Sequence, residues 1–233
     1  FVIDYVISQN AADTVSFKEL VNGSIENLES KPESVTADAG YGSVENYDYL
    51  KEKEIENYVK FAGYHSENKM GDKFKLKDFS YDLENDSYKC LNDEELKYVN
   101  EKIRETKTGF KESIKVYQAS ESACGHCPKK SWCTEGKFRS LSVNLKLEEH
   151  KKEVKNNLSS EKGIELKKRR CYDVETVFAN RKWNGNSRRY VLRGKQKVNV
   201  EAGLTYLAHN IKKMYLFIHS KICPWTPLEE FII

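Results

Sequence analysis

The first 61 residues alternate between β-rich and helical segments, and this alternation most constrains the possible fold. Residues 1–9, 34–37 and 55–61 are rich in β-branched and aromatic side chains and are expected to be strands. The segments between them space their apolar residues as helices do, and Asp13 and Ser43 are placed to cap the two helices. A β-α-β-α-β order predicts an α/β fold.

The rest of the chain differs in composition from this opening. Residues 62–145 are acidic and rich in tyrosine, and we interpret them as an insertion. The following residues are basic and predict helices over 160–183 and 195–219. The predicted domains are therefore a core formed by residues 1–61 and 146–233, interrupted by the insertion. The second helix carries an apolar face formed by Val198, Leu204, Leu207, Ile211, Met214 and Ile218.

Composition excludes several classes of protein. Aromatic residues make up 12% of the chain, which is enough core material to argue against disorder despite a mean hydropathy of -0.73. No apolar run approaches the roughly 20 residues of a membrane helix. There is also no charged segment followed by an apolar one, as in a secretory signal. We therefore expect a cytoplasmic protein with no membrane partner.

Charge is distributed unevenly along the chain. The formal net charge is +3, but residues 1–61 carry −7 and residues 129–233 carry +12. Because arginine binds phosphate through two parallel hydrogen bonds, a basic half of this size favours DNA as a partner. A solvated lysine-rich surface is the alternative. The candidate DNA-binding residues just beyond the first basic helix are Arg188, Arg189, Arg193 and Lys195.

Two carboxylates stand out by their positions. Asp38 follows a predicted strand and precedes a glycine-containing turn, at the edge of an α/β sheet where ligands bind. Glu175 lies on the predicted helix 160–183 among lysine and arginine residues. Asp38 is thus a candidate metal ligand or a turn cap, and Glu175 is a candidate ligand or a member of a surface ion-pair ladder.

The cysteines form a second candidate metal site. Cys90, Cys124, Cys127 and Cys133 have the spacing C-x33-C-x2-C-x5-C, and a C-x2-C pair is a common half of a tetrahedral zinc site. Reduced, partly buried thiols are the alternative interpretation. Cys171 and Cys223 are expected to be ordinary core residues.

Several short segments resemble one known family, the bacterial insertion-sequence transposases of the DDE type. The stretch from Leu166 to Met214 is similar to their C-terminal catalytic block, and residues 36–41 are similar to the block that carries their second aspartate. Asp13 also matches a position where such sequences often carry aspartate. The matching residues of the catalytic block are Lys168-Arg169-Arg170, Val174-Glu175-Thr176-Val177-Phe178, Lys182, Arg188-Arg189-Tyr190, Arg193-Gly194 and Ala208-His209-Asn210-Ile211.

The resemblance implies an RNase H-like fold and a catalyst of DNA strand cleavage and strand transfer. Asp38 and Glu175 would be its second and third catalytic carboxylates and would hold Mg²⁺ or Mn²⁺. Arg170 and Lys182 would contact DNA, and the intact enzyme would be a homo-oligomer. Related transposases carry a similar cysteine cluster, which favours Zn²⁺ there.

Two departures from the family pattern bear on activity. The first aspartate of the family belongs to a strand upstream of the segment that residues 1–9 resemble, and Lys167 stands near a place where the family often has tyrosine. We therefore expect a fold that lacks its first strand and a chain that is inactive by itself. A non-catalytic, zinc-stabilised DNA-binding remnant and a self-standing RNase H-like nuclease are the alternatives.

Overall fold

A computed structural model describes residues 1–9, 13–66, 73–184, 189–220 and 230–232. The helices in these residues are α1 (Phe17–Leu28), α2 (Val44–Glu52), α3 (Glu121–Gly125), α4 (Lys130–Cys133), α5 (Leu145–Ser159), α6 (Glu161–Asp173), α7 (Glu175–Ala179) and α8 (Lys195–Ser220). The strands are β1 (Ser34–Thr36), β2 (Glu56–Asn57), β3 (Ser80–Asp82), β4 (Ser87–Lys89), β5 (Glu95–Glu105), β6 (Lys111–Gln118), β7 (Ser140–Val143) and β8 (Glu230–Ile232).

The chain divides into two compact units, Phe1–Tyr64 with Lys151–Ile233, and His65–His150. The first unit contains a parallel sheet in the order β2-β1-β8. Ser34 of β1 pairs in register with Glu56 of β2 and with Glu230 of β8. Because α2 connects two parallel strands, the unit contains a β-α-β element, and the predicted α/β class is confirmed.

Helix α2 forms where its capping signal predicts. The Ser43 side chain accepts a hydrogen bond from the Asn46 backbone N–H at 3.2 Å, and the helix runs to Glu52. Its apolar side, with Tyr47 and Leu50, is buried together with Val35 of β1. This packing fixes the end of β1, where Asp38 lies.

Two predicted strands differ from the structure. Residues 1–9 form no strand, and two of their residues bond to helix side chains instead. The Val2 N–H donates to Asn210 Oδ1 of α8 at 2.8 Å, and Asn210 Nδ2 donates to the Val2 carbonyl at 2.7 Å. The Ile3 carbonyl accepts from Asn27 Nδ2 of α1 at 3.2 Å. The predicted strand over 55–61 is reduced to two residues, although Val59 within it is still buried.

Helix α6 is attached to the sheet at its first turn. Ser160 caps it by accepting from the Gly163 N–H at 3.0 Å, and Lys162 Nζ lies 2.9 Å from a Glu56 carboxylate oxygen and 3.4 Å from one of Glu33. Further along, Leu166 is buried. These contacts direct the following turns of α6, which carry Arg170, past the end of β1.

The second unit is built on an antiparallel sheet in the order β3-β4-β5-β6-β7. Its buried core consists of Phe79, Tyr88, Leu96, Tyr117, Ala119, Leu141 and Val143. At the β3–β4 turn, Asp86 accepts hydrogen bonds from the hydroxyls of Tyr81 and Tyr117 and from Lys115 Nζ, at 2.6 to 2.7 Å. These three donors lower the pKa of Asp86 to about 2.

Helix α8 leaves much of its predicted apolar face in solvent. The face that packs on the rest of the unit includes Ala202, which is fully buried, and Tyr206, whose ring lies 5.2 Å from that of Tyr5. Leu204, Leu207 and Ile211 lie on the opposite side and are exposed. None of the helices in the described part of the chain has the length and apolar character needed to cross a bilayer.

Candidate metal and DNA site

Asp38 lies just beyond the carboxyl end of β1, as the sequence predicts. Its Oδ1 atom accepts a hydrogen bond from the Ala39 N–H at 2.9 Å, so this carboxylate caps the short 3-10 helix Ala39–Tyr41. The strand is fixed behind it, because the Lys60 N–H donates to the Ala37 carbonyl at 3.3 Å. Asp38 Oδ2 takes no part in the cap and lies near the side chain of Arg170.

Glu175 lies at a break between two helices and not inside one. The predicted helix over 160–183 is wrong in its continuity, since α6 ends at Asp173, α7 begins at Glu175, and residues Asn180–Asn184 form a π-helical turn. Local chemistry accounts for the break: Val174, Thr176 and Val177 are β-branched, and the Thr176 hydroxyl donates to the Tyr172 carbonyl.

A single guanidinium brings the two carboxylates together. Arg170 Nη2 lies 3.5 Å from Asp38 Oδ2, and Arg170 Nη1 lies 3.4 Å from Glu175 Oε1. The Arg170 side chain is only 14% exposed, whereas those of Asp38 and Glu175 are 58% and 59% exposed. Arg170 therefore supplies a mostly buried positive charge to two carboxylates that remain open to solvent.

The pairing also bears on the other predicted role of Arg170. Its Nε atom is buried and has no hydrogen-bond partner among the described residues, and both of its terminal nitrogens face carboxylates. A direct contact of Arg170 with DNA stays a prediction, and it requires the ion pairs of Arg170 with Asp38 and Glu175 to break. Sequence reasoning missed the bridging role, because the spacing of Arg170 and Glu175 on an unbroken helix would place them on different faces.

A third carboxylate, Asp13, lies beside the Asp38 turn. Asp13 begins a short 3-10 helix, and its Oδ2 atom is 3.0 Å from the position that a Cβ atom would take at Gly40. The neighbouring Tyr41 has a raised pKa, mainly through burial, with a further contribution from Asp13. Asp4 lies elsewhere, against Gly23 of α1, and burial raises its pKa.

Apart from Arg170, the predicted DNA-binding residues that the structure describes are exposed. Lys182 lies in the π-helical turn, and Lys195 is the first residue of α8. Arg189 and Arg193 lie in the preceding segment, whose backbone is attached to α8 because the Val191 and Leu192 N–H groups donate to the Glu201 carboxylate at 2.8 to 3.0 Å. Arg188 lies outside the described residues.

The four clustered cysteines line one cavity of about 30 Å³ in the second unit. The Asn92 N–H donates to Cys90 Sγ at 3.4 Å, and burial raises the pKa of Cys133 while Arg139 opposes that rise. Across the described ranges, however, no three His, Cys, Asp or Glu side chains are grouped so as to hold a metal ion. Cys171, expected in the core, is exposed, and Cys223 lies outside the described residues.

Comparison with known families shows what these residues belong to. The family model described as Transposase DDE domain matches residues 89–215, which is more than half of the chain. The chain belongs to the DDE transposase family. No curated protein and no solved structure matches it.

The transposase match covers residues from both compact units. It includes the four clustered cysteines, Arg170, Glu175 and Lys182, whereas Asp38 lies upstream of it. Membership supports a DNA partner for this transposase and the use of a divalent metal such as Mg²⁺, which are general features of the family.

Proposed function

We propose that this transposase chain binds DNA through its basic segment and that Asp38 and Glu175 are metal-binding carboxylates of an RNase H-like core. In this proposal residues 65–150 are an insertion into that core. The observation that carries it is the convergence of Asp38 and Glu175, 137 positions apart in the sequence, on the guanidinium of Arg170.

The donor types at this convergence suit Mg²⁺ or Mn²⁺, because both ions prefer carboxylate oxygens. When bound, such an ion supplies activation of the attacking oxygen and stabilises the leaving oxygen of a phosphodiester. Asp38 and Glu175 would hold it, and both are more than half exposed and so accessible to an ion. Two carboxylates make an incomplete site for such an ion.

Asp13 is the best candidate to complete the set. It lies against the turn that follows Asp38, whereas Asp4 lies against α1. A carboxylate at Asp13 reaches the ion if the turn Ala39–Tyr41 rearranges when metal and DNA bind.

The basic segment would hold the phosphodiester backbone. Arg189, Arg193 and Lys195 are exposed, and the hydrogen bonds from Val191 and Leu192 to Glu201 fix the segment that carries them. A backbone restrained in this way loses less conformational entropy when its side chains bind phosphate. The proposal also includes Arg188, because it lies in the same basic tract of the sequence, and Lys182, because its side chain is exposed.

A DNA-binding titration tests this proposal. Replacing Arg189, Arg193 and Lys195 with alanine should weaken binding to duplex DNA. The number of phosphate contacts obtained from the slope of the binding constant against salt should fall by up to about three. The matched control removes three exposed lysines of β5 and its hairpin turn, Lys97, Lys102 and Lys107. Equal weakening in both variants would show that binding depends on total charge and not on this segment.

A cleavage assay tests the carboxylates. Asp38→Asn and Glu175→Gln should each abolish Mg²⁺- or Mn²⁺-dependent strand cleavage and strand transfer while leaving DNA binding within about twofold. Cleavage that survives either substitution would remove that residue from the metal site.

The alternative function is a zinc-stabilised DNA-binding module without catalysis, and the thiol cavity supports it. The Asn92 N–H bond to Cys90 Sγ is an interaction that stabilises a thiolate, and the side chains of Arg139 and Lys130 line the same cavity and balance negative charge. The four thiols would have to move inward to surround an ion.

Metal analysis separates the two possibilities for the thiols. If they bind zinc, protein purified under reducing conditions should contain about one Zn²⁺ per chain, and a chelator should destabilise residues 65–150 first. Cys127→Ser should lower the zinc content, whereas Cys171→Ser, at an exposed cysteine outside the cavity, should not. Zinc-free protein with four reactive thiols would rule out the zinc site.

A further inference from the structure

The basic segment, residues 189–195, forms neither helix nor strand before Lys195, where α8 begins. Two side chains in its middle lie largely in solvent, since Val191 is 84% exposed and Leu192 is 44% exposed. Apolar burial at these two positions therefore contributes little to the order of the segment. Specific contacts have to supply that order, and the structure shows two of them.

The first contact is made by the Glu201 carboxylate of α8. Its two oxygens accept from the Val191 N–H at 2.9 and 3.0 Å, and one of them also accepts from the Leu192 N–H at 2.8 Å. Side chains on a helix tilt toward its amino-terminus, so a glutamate in the second turn reaches back to the residues that precede the helix. The bonds from Leu192 and Val191 hold the pKa of Glu201 below its usual value, because they favour the ionised carboxylate.

The second contact joins the segment to the turn that follows α7. The guanidinium carbon of Arg181 lies 4.1 Å from the centre of the Tyr190 ring, which is within the range of a cation–π contact. Both side chains also interact with the Tyr206 hydroxyl on α8, whose pKa is raised mainly by burial. The segment is thus held at Tyr190 by its ring and at the next two residues by Glu201.

We propose that Glu201 is a positioning residue for DNA binding, which fixes the backbone from which Arg189 and Arg193 extend. The inference rests on the proposed function, in which these two arginines bind phosphate. Val191 and Leu192 lie between the arginines in the sequence, so a carboxylate that holds both of their N–H groups restrains the chain on either side. Glu201 itself does not touch DNA in this proposal.

Electrostatics alone predicts the opposite effect of Glu201. It is the single acidic residue of α8, and a negative charge beside a phosphate-binding surface repels DNA. Its removal would then strengthen binding. Positioning predicts weaker binding, because the backbone of the segment would have to become ordered when DNA binds. Fixing the backbone of one residue corresponds to about a fivefold to thirtyfold change in affinity, so positioning outweighs one screened charge.

DNA-binding titrations with two matched variants test the sign. Glu165 is exposed on α6 of the same compact unit, so Glu165→Ala removes the same charge as Glu201→Ala. In fluorescence anisotropy with duplex DNA, Glu201→Ala should bind about fivefold or more weakly than the unaltered chain. Glu165→Ala should bind no more weakly than the unaltered chain. A smaller loss in Glu201→Ala, no change, a gain, or an equal loss in both variants would overturn the proposal.

Hydrogen exchange measured by NMR without DNA tests the contact itself. The Val191 and Leu192 N–H groups should be protected in the unaltered chain and in Glu165→Ala and should lose that protection in Glu201→Ala. The N–H of Tyr206, further along α8, should stay protected in all three, which shows that the helix is intact. Equal protection of Val191 and Leu192 in all three proteins would show that Glu201 does not hold the segment and would overturn the proposal.

The outcome is distinguishable from failure of the proposed function. If replacement of Arg189, Arg193 and Lys195 leaves DNA binding unchanged, the basic segment is not the DNA-binding surface and the proposed function fails. If that triple variant binds DNA more weakly and Glu201→Ala does not, only the positioning role of Glu201 fails.

Discussion

Replacement of Arg170 by glutamine tests whether its guanidinium occupies the place of a metal ion between Asp38 and Glu175. The two terminal nitrogens of Arg170 lie 3.5 Å and 3.4 Å from the carboxylates. A bound cation competes with the guanidinium for the same oxygens. Glutamine retains part of the length and some hydrogen-bonding capacity but removes the charge. We therefore expect Mn²⁺ to bind Arg170→Gln more tightly than it binds the unaltered chain.

The size of the effect follows from the exposure of the two carboxylates. Because both are more than half exposed, the dielectric of water is the appropriate screen. A divalent ion and a guanidinium about 4 Å apart then repel each other by roughly 2 kcal/mol. Since about 1.4 kcal/mol corresponds to a factor of ten, the affinity should rise by about tenfold to thirtyfold. The gain should decrease in high salt.

Titration with Mn²⁺, followed by the electron paramagnetic resonance signal of the free ion, measures this change. Arg169→Gln is the matched control, because it removes the same charge at the neighbouring position, where the arginine pairs with Asp173 at 3.7 Å. Asp38→Asn in the Arg170→Gln background should remove the gain. If Arg170→Gln binds Mn²⁺ no more tightly than Arg169→Gln, the guanidinium does not hold the place of an ion and the reasoning fails.

Three further predictions concern stability. Gly163→Ala should lower the melting temperature by several degrees, because a Cβ atom there meets the Leu158 Cα at 2.7 Å, whereas Gly125→Ala, with no atom within 4 Å, should not. Asp86 has a lowered pKa, so its contribution to folding stability is present above about pH 4 and is lost as the pH falls toward about 2. In denaturant titrations across that range, Asp86→Asn should therefore lose less stability than the unaltered chain. Lys162→Met should cost less than about 1 kcal/mol in chemical unfolding, since both of its carboxylate partners are exposed to solvent.

Local signals in the sequence were sufficient for some parts of the site. Asp38 could be placed because a short buried strand followed by a turn is a local pattern, and β1 and the turn Ala39–Tyr41 form where it indicates. Ser43 could be recognised as a cap for the same reason. The helix over 195–219 was also predicted closely, because its apolar spacing is long and regular.

Other parts depend on partners that a single segment does not reveal. Residues 1–9 have the composition of a strand, yet the side chain of Asn210, which is 208 positions from Val2, satisfies the polar backbone groups of Val2. The apolar pattern of α8 predicted a helix with one apolar face that includes Leu207, but the structure buries the side centred on Ala202 and leaves Leu207 in solvent. Periodicity shows that a helix has an apolar side, and only tertiary contacts show which side the chain covers.

The break in the helix at Val174 shows why the carboxylate pair could not be derived from spacing. On a regular α-helix two residues five positions apart point about 140° away from each other, so Arg170 and Glu175 would face different directions. The end of α6 at Asp173 and the restart of α7 at Glu175 remove this constraint, and the two side chains meet at 3.4 Å. The same arginine reaches Asp38 because the capped start of α6 is fixed to the sheet through Lys162. A substitution that restores helix propensity, Val174→Ala, should therefore extend α6, turn the Glu175 carboxylate away from Asp38 and lower Mn²⁺ affinity without altering the exposed arginines of the basic segment. If Val174→Ala binds Mn²⁺ as the unaltered chain does, the broken helix is not what forms the site.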